Sequence, residues 1–306
     1  MTLRFDGKVA VVTGAGRGIG RAEALLFARL GASVVVNDLE VSMDGSNAPG
    51  GVVEEVVAEI KKFGGRAVGN TSSVATEAGA AAIVASAIDN FGRLDVVVNN
   101  AGIVQLARLS ETSLDDFQAH LTVHVLGTFL VCKSAWPHLA STRGSIVNTT
   151  SAGIYGLPNA GAYSAAKGAV MAMTKTMALE GAEAGIKVNA IMPAAASRMT
   201  EQAGAQSRGY LPLVPPESVA AVVGYLAHES CSFSGETITA KGGHVSRSVL
   251  GETLGYTRQN VDIDDVAENV ERVMDLHGLR VLRNTSEQIG LWKERMTLAG
   301  AIIRAP

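Results

Sequence analysis

Short runs of adjacent apolar residues alternate along the chain with longer stretches whose apolar positions recur every three or four residues. Val9 to Val12 is the first continuous run, and it stops at a cluster of glycines. Ile19, Ala22, Leu26, Phe27 and Leu30 then repeat at helical spacing, which places them on one face. Further strands are predicted at Ser33–Val36, Arg66–Gly69, Asp95–Val98, Ser145–Val147, Lys187–Ile191 and Thr237–Thr239. Helical spacing predicts helices over Val52–Phe63, Glu77–Phe91, Leu114–Leu139 and Tyr163–Glu183. Another, Glu217–Leu226, follows Pro215 and Pro216, and proline favours helix starts. Strand–helix alternation at this pitch predicts an α/β fold, a doubly wound parallel sheet of seven strands with helices on both faces. The unbroken runs Val34-Val35-Val36 and Val96-Val97-Val98 agree, because a parallel strand is buried on both sides.

Beyond about Gly243 the alternation stops. A helix is predicted from Ile263 to Leu276 with Asp262 as its N-cap, and a second from Glu287 to Met296. The expected division is residues 1–246 as the sheet domain and 247–306 as a helical extension. That extension would pack on the parent domain or on a neighbouring subunit. Its basic residues Arg272, Arg280, Arg283, Lys293 and Arg295 suit either a solvated helix face or phosphate groups. The segment Val41 to Gly51, with Asp44, Gly45, Pro49 and Gly50, is expected to be a surface loop.

Composition narrows the function classes. The net charge of −3 carries no long run of one sign, which argues against nucleic acid or an anionic membrane as partner. Cys132 and Cys231 are far apart, offering neither a disulfide framework nor metal-ligand spacing. No metal site is expected. The first residues, MTLRFDGK, lack a signal-like apolar stretch, and the final IIRAP is not a peroxisomal address, so a cytoplasmic location is expected.

Candidate chemistry begins at TGAGRGIG, Thr13 to Gly20, directly after the first strand and at the start of a helix. A dinucleotide's pyrophosphate sits at such a helix N-terminus, on glycines that let the backbone approach it. The spacing is Gly14-x-x-x-Gly18-x-Gly20; a third glycine after Gly14 and Gly16 at G-x-G-x-x-G spacing would fall on Ile19. Asp38 ends the second strand, where a carboxylate accepts from ribose hydroxyls and repels a 2′-phosphate, favouring NAD over NADP. Arg17 is the counter-signal. Asn99-Asn100-Ala101-Gly102 closes the fourth strand with residues small enough for close approach to a cofactor, or serves as a helix cap.

At the other end, Tyr163 and Lys167 stand four residues apart and share a helix face. A cation near a phenol favours phenolate, so this tyrosine could exchange a proton with an alcohol or carbonyl. With TGAGRGIG, NNAG, YSAAK and KVNAIMP in place from about Asp6 to Gly243, the chain resembles the short-chain dehydrogenase/reductase family, and so a Rossmann-type sheet. The resemblance implies Tyr163 as acid/base and Lys167 as the residue that lowers its pKa and holds the nicotinamide ribose. It also implies a hydroxyl that orients the substrate oxygen. The family's serine falls thirteen residues before the tyrosine, which is Thr150 here, whereas Ser151 is twelve before; Ser151 is preferred and both stay open. His124 stands where the family has the asparagine of N-x-x-G, putting that residue's water relay in doubt. Implied cofactor contacts are Gly14, Gly16, Arg17, Gly18, Ile19, Gly20, Asp38, Ser73, Val74, Asn100, Ala101, Gly102, Tyr163, Lys167, Pro193, Ala195 and Ser197. Pro193-Ala-Ala-Ala196 departs from the family's Pro-Gly.

Within the family, VVNDLE, SAGIYG, SRMTE and LAHESC resemble the (3R)-hydroxyacyl-CoA dehydrogenase unit of D-specific multifunctional β-oxidation enzymes and its bacterial single-domain relatives. His124 and the pair Ser73-Val74 also suit that branch. The resemblance implies an NAD-dependent enzyme of lipid metabolism acting on a 3-hydroxyacyl-CoA. A hydroxysteroid or other hydrophobic alcohol is the alternative substrate, and a catalytically silent NAD-binding sensor the alternative class. Met199 to Pro215, poor in charge, is the expected substrate lid. Apolar and small residues around the helices, such as Ala166, Ala169, Val170, Met173 and Met177, need a covering surface; with the resemblance they imply a homodimer or homotetramer.

Overall fold

The computed structural model describes residues 3–40, 50–195, 215–258 and 260–298. The lid expected over Met199–Pro215 lies outside them except for Pro215, as does Ser197; of the loop expected over Val41–Gly51, only Gly50 and Gly51 fall inside. The chain divides into two compact units, Met1–Arg247 and Ser248–Pro306.

The first unit is built on strands β1 (Val9–Thr13), β2 (Ser33–Asn37), β3 (Arg66–Asn70), β4 (Val96–Asn99), β5 (Ser145–Thr149), β6 (Lys187–Ala194), β7 (Thr237–Lys241) and β8 (His244–Ser248). They form one sheet in the order β3-β2-β1-β4-β5-β6-β7-β8. The pairings from β3 through β7 are parallel, with Thr13 opposite Asn37 and Val12 opposite Val98 in the two ladders of β1. The seven expected strands are joined by an eighth. Gly242 and Gly243, at φ 53° and 81°, supply the two left-handed residues of a tight hairpin, and β8 turns back along β7.

The alternation of side chains along each strand builds the two core layers. Ala10, Val12, Val34, Val36, Val96 and Val98 pack on one face with helices α1 (Gly18–Arg29) and α2 (Val52–Lys62) and with a later helix over Pro216–Ala227. Val9, Val11, Val35 and Val97 pack on the other with α3 (Glu77–Phe91) and with helices over Gly127–Thr142 and Gly161–Ala184. Thr76 starts α3 by accepting from Gly79 N, a cap worth about 1 kcal/mol.

The expected single helix from Leu114 to Leu139 is broken. It begins as α4 (Leu114–His120), capped by Ser113, widens into a π turn over Leu121–Leu126, and resumes as α5 (Gly127–Thr142) with Pro137 inside. Such turns recur at functional sites because the extra residue re-aims the side chains around it. Here His120 and His124 stack, ring centroids 6.0 Å apart. Helix α6 (Gly161–Ala184) follows, then α7 (Pro216–Ala227). In α6, Ala166, Val170 and Met177 are buried, while Ala169 and Met173 are half-buried. Among the described residues no helix is long and apolar enough to cross a membrane.

In the second unit, β9 (Gly251–Glu252) pairs antiparallel with β10 (Arg280–Val281). Helix α8 (Ile263–Met274) starts at the expected Asp262, which forms a reciprocal capping box with Asp265. Helix α9 covers Thr285–Leu298. Several of the unit's basic residues are engaged locally. Arg283 pairs with Glu287, Arg295 lies 3.7 Å from Glu252, and Arg272 donates to Asn269.

Candidate active site

The strand order reverses between β1 and β4, and the crevice at the carboxyl ends there is where doubly wound sheets take a ligand. The turn from Thr13 to Gly20 lies in that crevice, and its glycines leave room that side chains would fill. A Cβ on Gly20 would stand 2.3 Å from the Gly14 carbonyl oxygen, and one on Gly16 would stand 2.6 Å from Val52 Cγ2. Gly14 and Gly18 adopt φ 64° and 55°, which favours glycine. Arg17 precedes α1 in an extended conformation without a side-chain cap, so the first amides of α1, at Gly18, Ile19 and Gly20, keep their capacity for an anion.

Asn100 is no helix cap. Its Nδ2 donates to the carbonyls of Thr13 (2.9 Å) and Gly14 (3.0 Å), while the Thr13 hydroxyl accepts from the amides of Asn100 and Ala101 at 3.1 Å each. The NNAG segment thus holds the glycine turn. Gly102 lies against His124, whose Cε1 would be 2.5 Å from an added Cβ.

The Asp38 carboxylate reaches the same turn. Oδ2 accepts from Gly16 N at 3.0 Å and Oδ1 from Glu40 N at 2.8 Å. Each oxygen retains a lone pair, enough to accept from two ribose hydroxyls. The bare cradle, the open helix start and this carboxylate fit a dinucleotide. Ser73 Oγ accepts from Ala75 N at 3.2 Å, and Val74 is buried against Gly127. Pro193 and Ala195 lie at the end of β6, Pro193 opposite Ala240.

At the chemical end, Tyr163 and Lys167 project from one face of α6, both buried. Lys167 Nζ donates to Thr149 O at 2.7 Å and lies 5.8 Å from the Tyr163 ring centroid. The hydroxyl at the phenol is Ser151's: it bonds Tyr163 and accepts from Gly153 N at 3.1 Å. Thr150 is turned away, its hydroxyl donating to Lys167 O at 2.8 Å and its amide to Ile191 O.

The electrostatics differ from expectation in one respect. Burial raises the Tyr163 phenol above its ordinary 10, and the Ser151 hydrogen bond works against it. The expected lowering by Lys167 is not the dominant effect. Burial brings that lysine down to about 7, so near neutrality much of its charge, and hence its pull on the phenol, is gone.

His124 comes into the site beside Tyr163, ring centroids 5.6 Å apart, and its Nε2 meets the Ile103 carbonyl at 2.8 Å. Nε2 also lies 3.3 Å from the Ile103 amide, and Nδ1 is buried with no hydrogen-bond partner among the described residues. Burial, then the Lys167 charge, hold this imidazole well below 6.5, so it is neutral at pH 7. His120, which the sequence reading passed over, is fully buried with its ring 6.3 Å from Tyr163. It meets Asp116 O and accepts from Gln105 N. Its signal was the spacing: His120 and His124 are four residues apart on one predicted helix.

A family model described as short chain dehydrogenase matches residues 8–208. The chain is 41% identical over 280 residues to a short-chain type dehydrogenase/reductase of Mycobacterium tuberculosis, covering 90% of this chain and 96% of that protein. It is 40% identical over 294 residues to the mouse peroxisomal multifunctional enzyme type 2, covering 94% of this chain but only 39% of that longer protein. Among solved structures, a short chain dehydrogenase from Mycobacterium avium aligns with TM-score 0.76 at 38% identity, over 88% of this chain and 95% of that one. The full-length peroxisomal multifunctional enzyme type 2 of Drosophila melanogaster aligns with TM-score 0.80 at 31% identity, over 98% of this chain and 50% of that one.

Proposed function

This chain belongs to the short-chain dehydrogenase/reductase family, and on that premise we propose that it is an NAD-dependent dehydrogenase interconverting 3-hydroxyacyl-CoA and 3-oxoacyl-CoA. The observation that carries the chemistry is the grouping of the Tyr163 phenol, the Ser151 hydroxyl and Lys167 Nζ where β5 ends and α6 begins. Support for the acyl-CoA substrate is the similarity to the peroxisomal multifunctional enzymes. Support for NAD is Asp38, whose carboxylate would repel a 2′-phosphate.

The bound dinucleotide would take or give the hydride. Tyr163 takes the proton of the substrate hydroxyl during oxidation and returns it to the carbonyl oxygen in reduction. Ser151 donates to that oxygen and fixes its distance from the phenol. Lys167, held by Thr149 O and 5.8 Å from the phenol ring, would hold the nicotinamide ribose. His124 is a neutral imidazole whose Nδ1 has no hydrogen-bond partner among the described residues, where an asparagine would carry an amide.

The two neighbouring hydroxyls should separate cleanly on mutation. Ser151→Ala should lower kcat by about 10²-fold with little change in unfolding midpoint. Thr150→Val should do the reverse, lowering the unfolding free energy by about 1–3 kcal/mol because Lys167 O loses a buried donor. Steady-state kinetics and denaturant unfolding of both variants check this; a larger kcat loss in Thr150→Val would reassign the orienting hydroxyl.

We also propose a homo-oligomer. Leu126, at the end of the π turn, and Phe129, on α5, are 42% and 43% exposed, with Leu114 and Phe117 exposed on α4. The mass in solution should be a multiple of 31.6 kDa, and a monomer would count against it. The reaction calls for no membrane or nucleic acid, and the cytoplasm is the compartment we propose, although the mouse relative is named as peroxisomal. Assay with NAD and a panel of 3-hydroxyacyl-CoA, hydroxysteroid and other alcohol substrates tests the substrate class.

A further inference from the structure

Two residues beyond Asp38, Glu40 adopts φ 57°, a left-handed conformation that suits glycine and crowds an L side chain. What holds it there is its own carboxylate. Oε1 accepts from Gly51 N at 2.8 Å and from Val53 N at 3.1 Å, the first amides of α2. Among the described residues the helix has no other side-chain cap, and its N-cap position is Gly51. The neighbouring Gly50 accommodates the other oxygen, since a Cβ there would stand 2.8 Å from Glu40 Oε2.

These contacts join the glycine turn to α2. Gly16 N donates to Asp38, Asp38 accepts from Glu40 N, and Glu40 accepts from the start of α2, whose Val52 closes against Gly16. One carboxylate therefore fixes the loop that carries the other. The positive end of α2 would otherwise be open beside the Asp38 carboxylate, and a helix start favours phosphate. Glu40 occupies it with a negative charge of its own.

We propose that Glu40 is a second specificity-determining carboxylate: it fills the start of α2 next to Asp38 and so denies that position to the 2′-phosphate of NADP. The inference rests on the reading of Asp38 as the ribose-binding residue. It adds a distinct requirement, a charge on Glu40 that does not itself touch the ribose.

Glu40→Gln separates charge from geometry, because its amide oxygen can keep accepting from Gly51 and Val53. Calorimetric titration of the full chain with NAD and with NADP reads binding without turnover. Glu40→Gln should tighten NADP by about tenfold and leave NAD within about twofold, the loss of one nearby like charge. Asp38→Asn should also tighten NADP while weakening NAD. Glu40→Gly, which relieves the backbone but leaves the amides of α2 open, should tighten NADP at least as far as Glu40→Gln does. Unchanged NADP affinity in Glu40→Gln, with a matching melting curve and with Asp38→Asn shifted as expected, would overturn the role of Glu40 and leave that of Asp38 standing. If Asp38→Asn shifts neither affinity, the reading of Asp38 fails, and the inference built on it fails as well.

Discussion

Tyr163→Phe is expected to lower kcat by about 10³-fold while leaving NAD binding within about twofold, since proton transfer by a positioned group contributes on that scale. The substitution removes one oxygen and keeps the ring. That ring packs edge-on to His120 and His124, at 6.3 and 5.6 Å, so the pocket wall should survive. Kinetics with a saturating alcohol, paired with NAD titration, check the expectation. A variant turning over within about tenfold of wild type would remove Tyr163 from the acid/base role.

A second large effect is expected far from the chemistry, at Glu23. It lies on the buried side of α1 with no exposure, and among the described residues neither carboxylate oxygen has a partner. Burial raises its pKa from the ordinary 4.5 to about 8. Below pH 4.5 the group is neutral in both folded and unfolded chains and costs nothing through ionisation. As pH rises from 4.5 towards 8, the unfolded chain releases the proton and the folded one retains it, so stability falls. Above about 8 both are ionised, and the accumulated penalty levels off at about 5 kcal/mol. Glu23→Gln lacks the titration. Its unfolding free energy, relative to wild type, should therefore rise by about 4 kcal/mol between pH 4 and pH 8. Denaturant unfolding of both proteins across that range tests this, and a constant difference would show that Glu23 does not carry the penalty.

Glu23 also shows how much of the fold could be read in advance. Of the stripe Ile19, Ala22, Leu26, Phe27 and Leu30, Ala22 and Phe27 are buried and the other three half-buried, and Glu23 stands within it, four residues after Ile19. Strands β1, β2 and β4 were legible because buried parallel strands are unbroken apolar runs, whereas β3 and β7, mixed in composition and partly exposed, were legible from the strand–helix alternation. The eighth had no such run: His244–Ser248 is polar and largely exposed, and its signal was the pair Gly242-Gly243. The break in Leu114–Leu139 had no apolar signature, because a π turn keeps the same residues at nearly the same spacing. At the candidate site, motif spacing singled out Tyr163, Lys167, Asp38 and the glycine turn. It could not decide between Ser151 and Thr150, because adjacent residues at a strand end point in opposite directions and only the backbone path tells which faces the phenol. Glu40 was invisible for a similar reason. Its role depends on a left-handed backbone and on a helix start eleven residues further on.

The most direct test of the central claim is the appearance of NADH absorbance when the purified full chain meets NAD and a (3R)-3-hydroxyacyl-CoA. Turnover is expected, falling about 10³-fold in Tyr163→Phe, with NADP much poorer than NAD as the acceptor. Tight NAD binding with no NADH formed from any 3-hydroxyacyl-CoA or other secondary alcohol would contradict it.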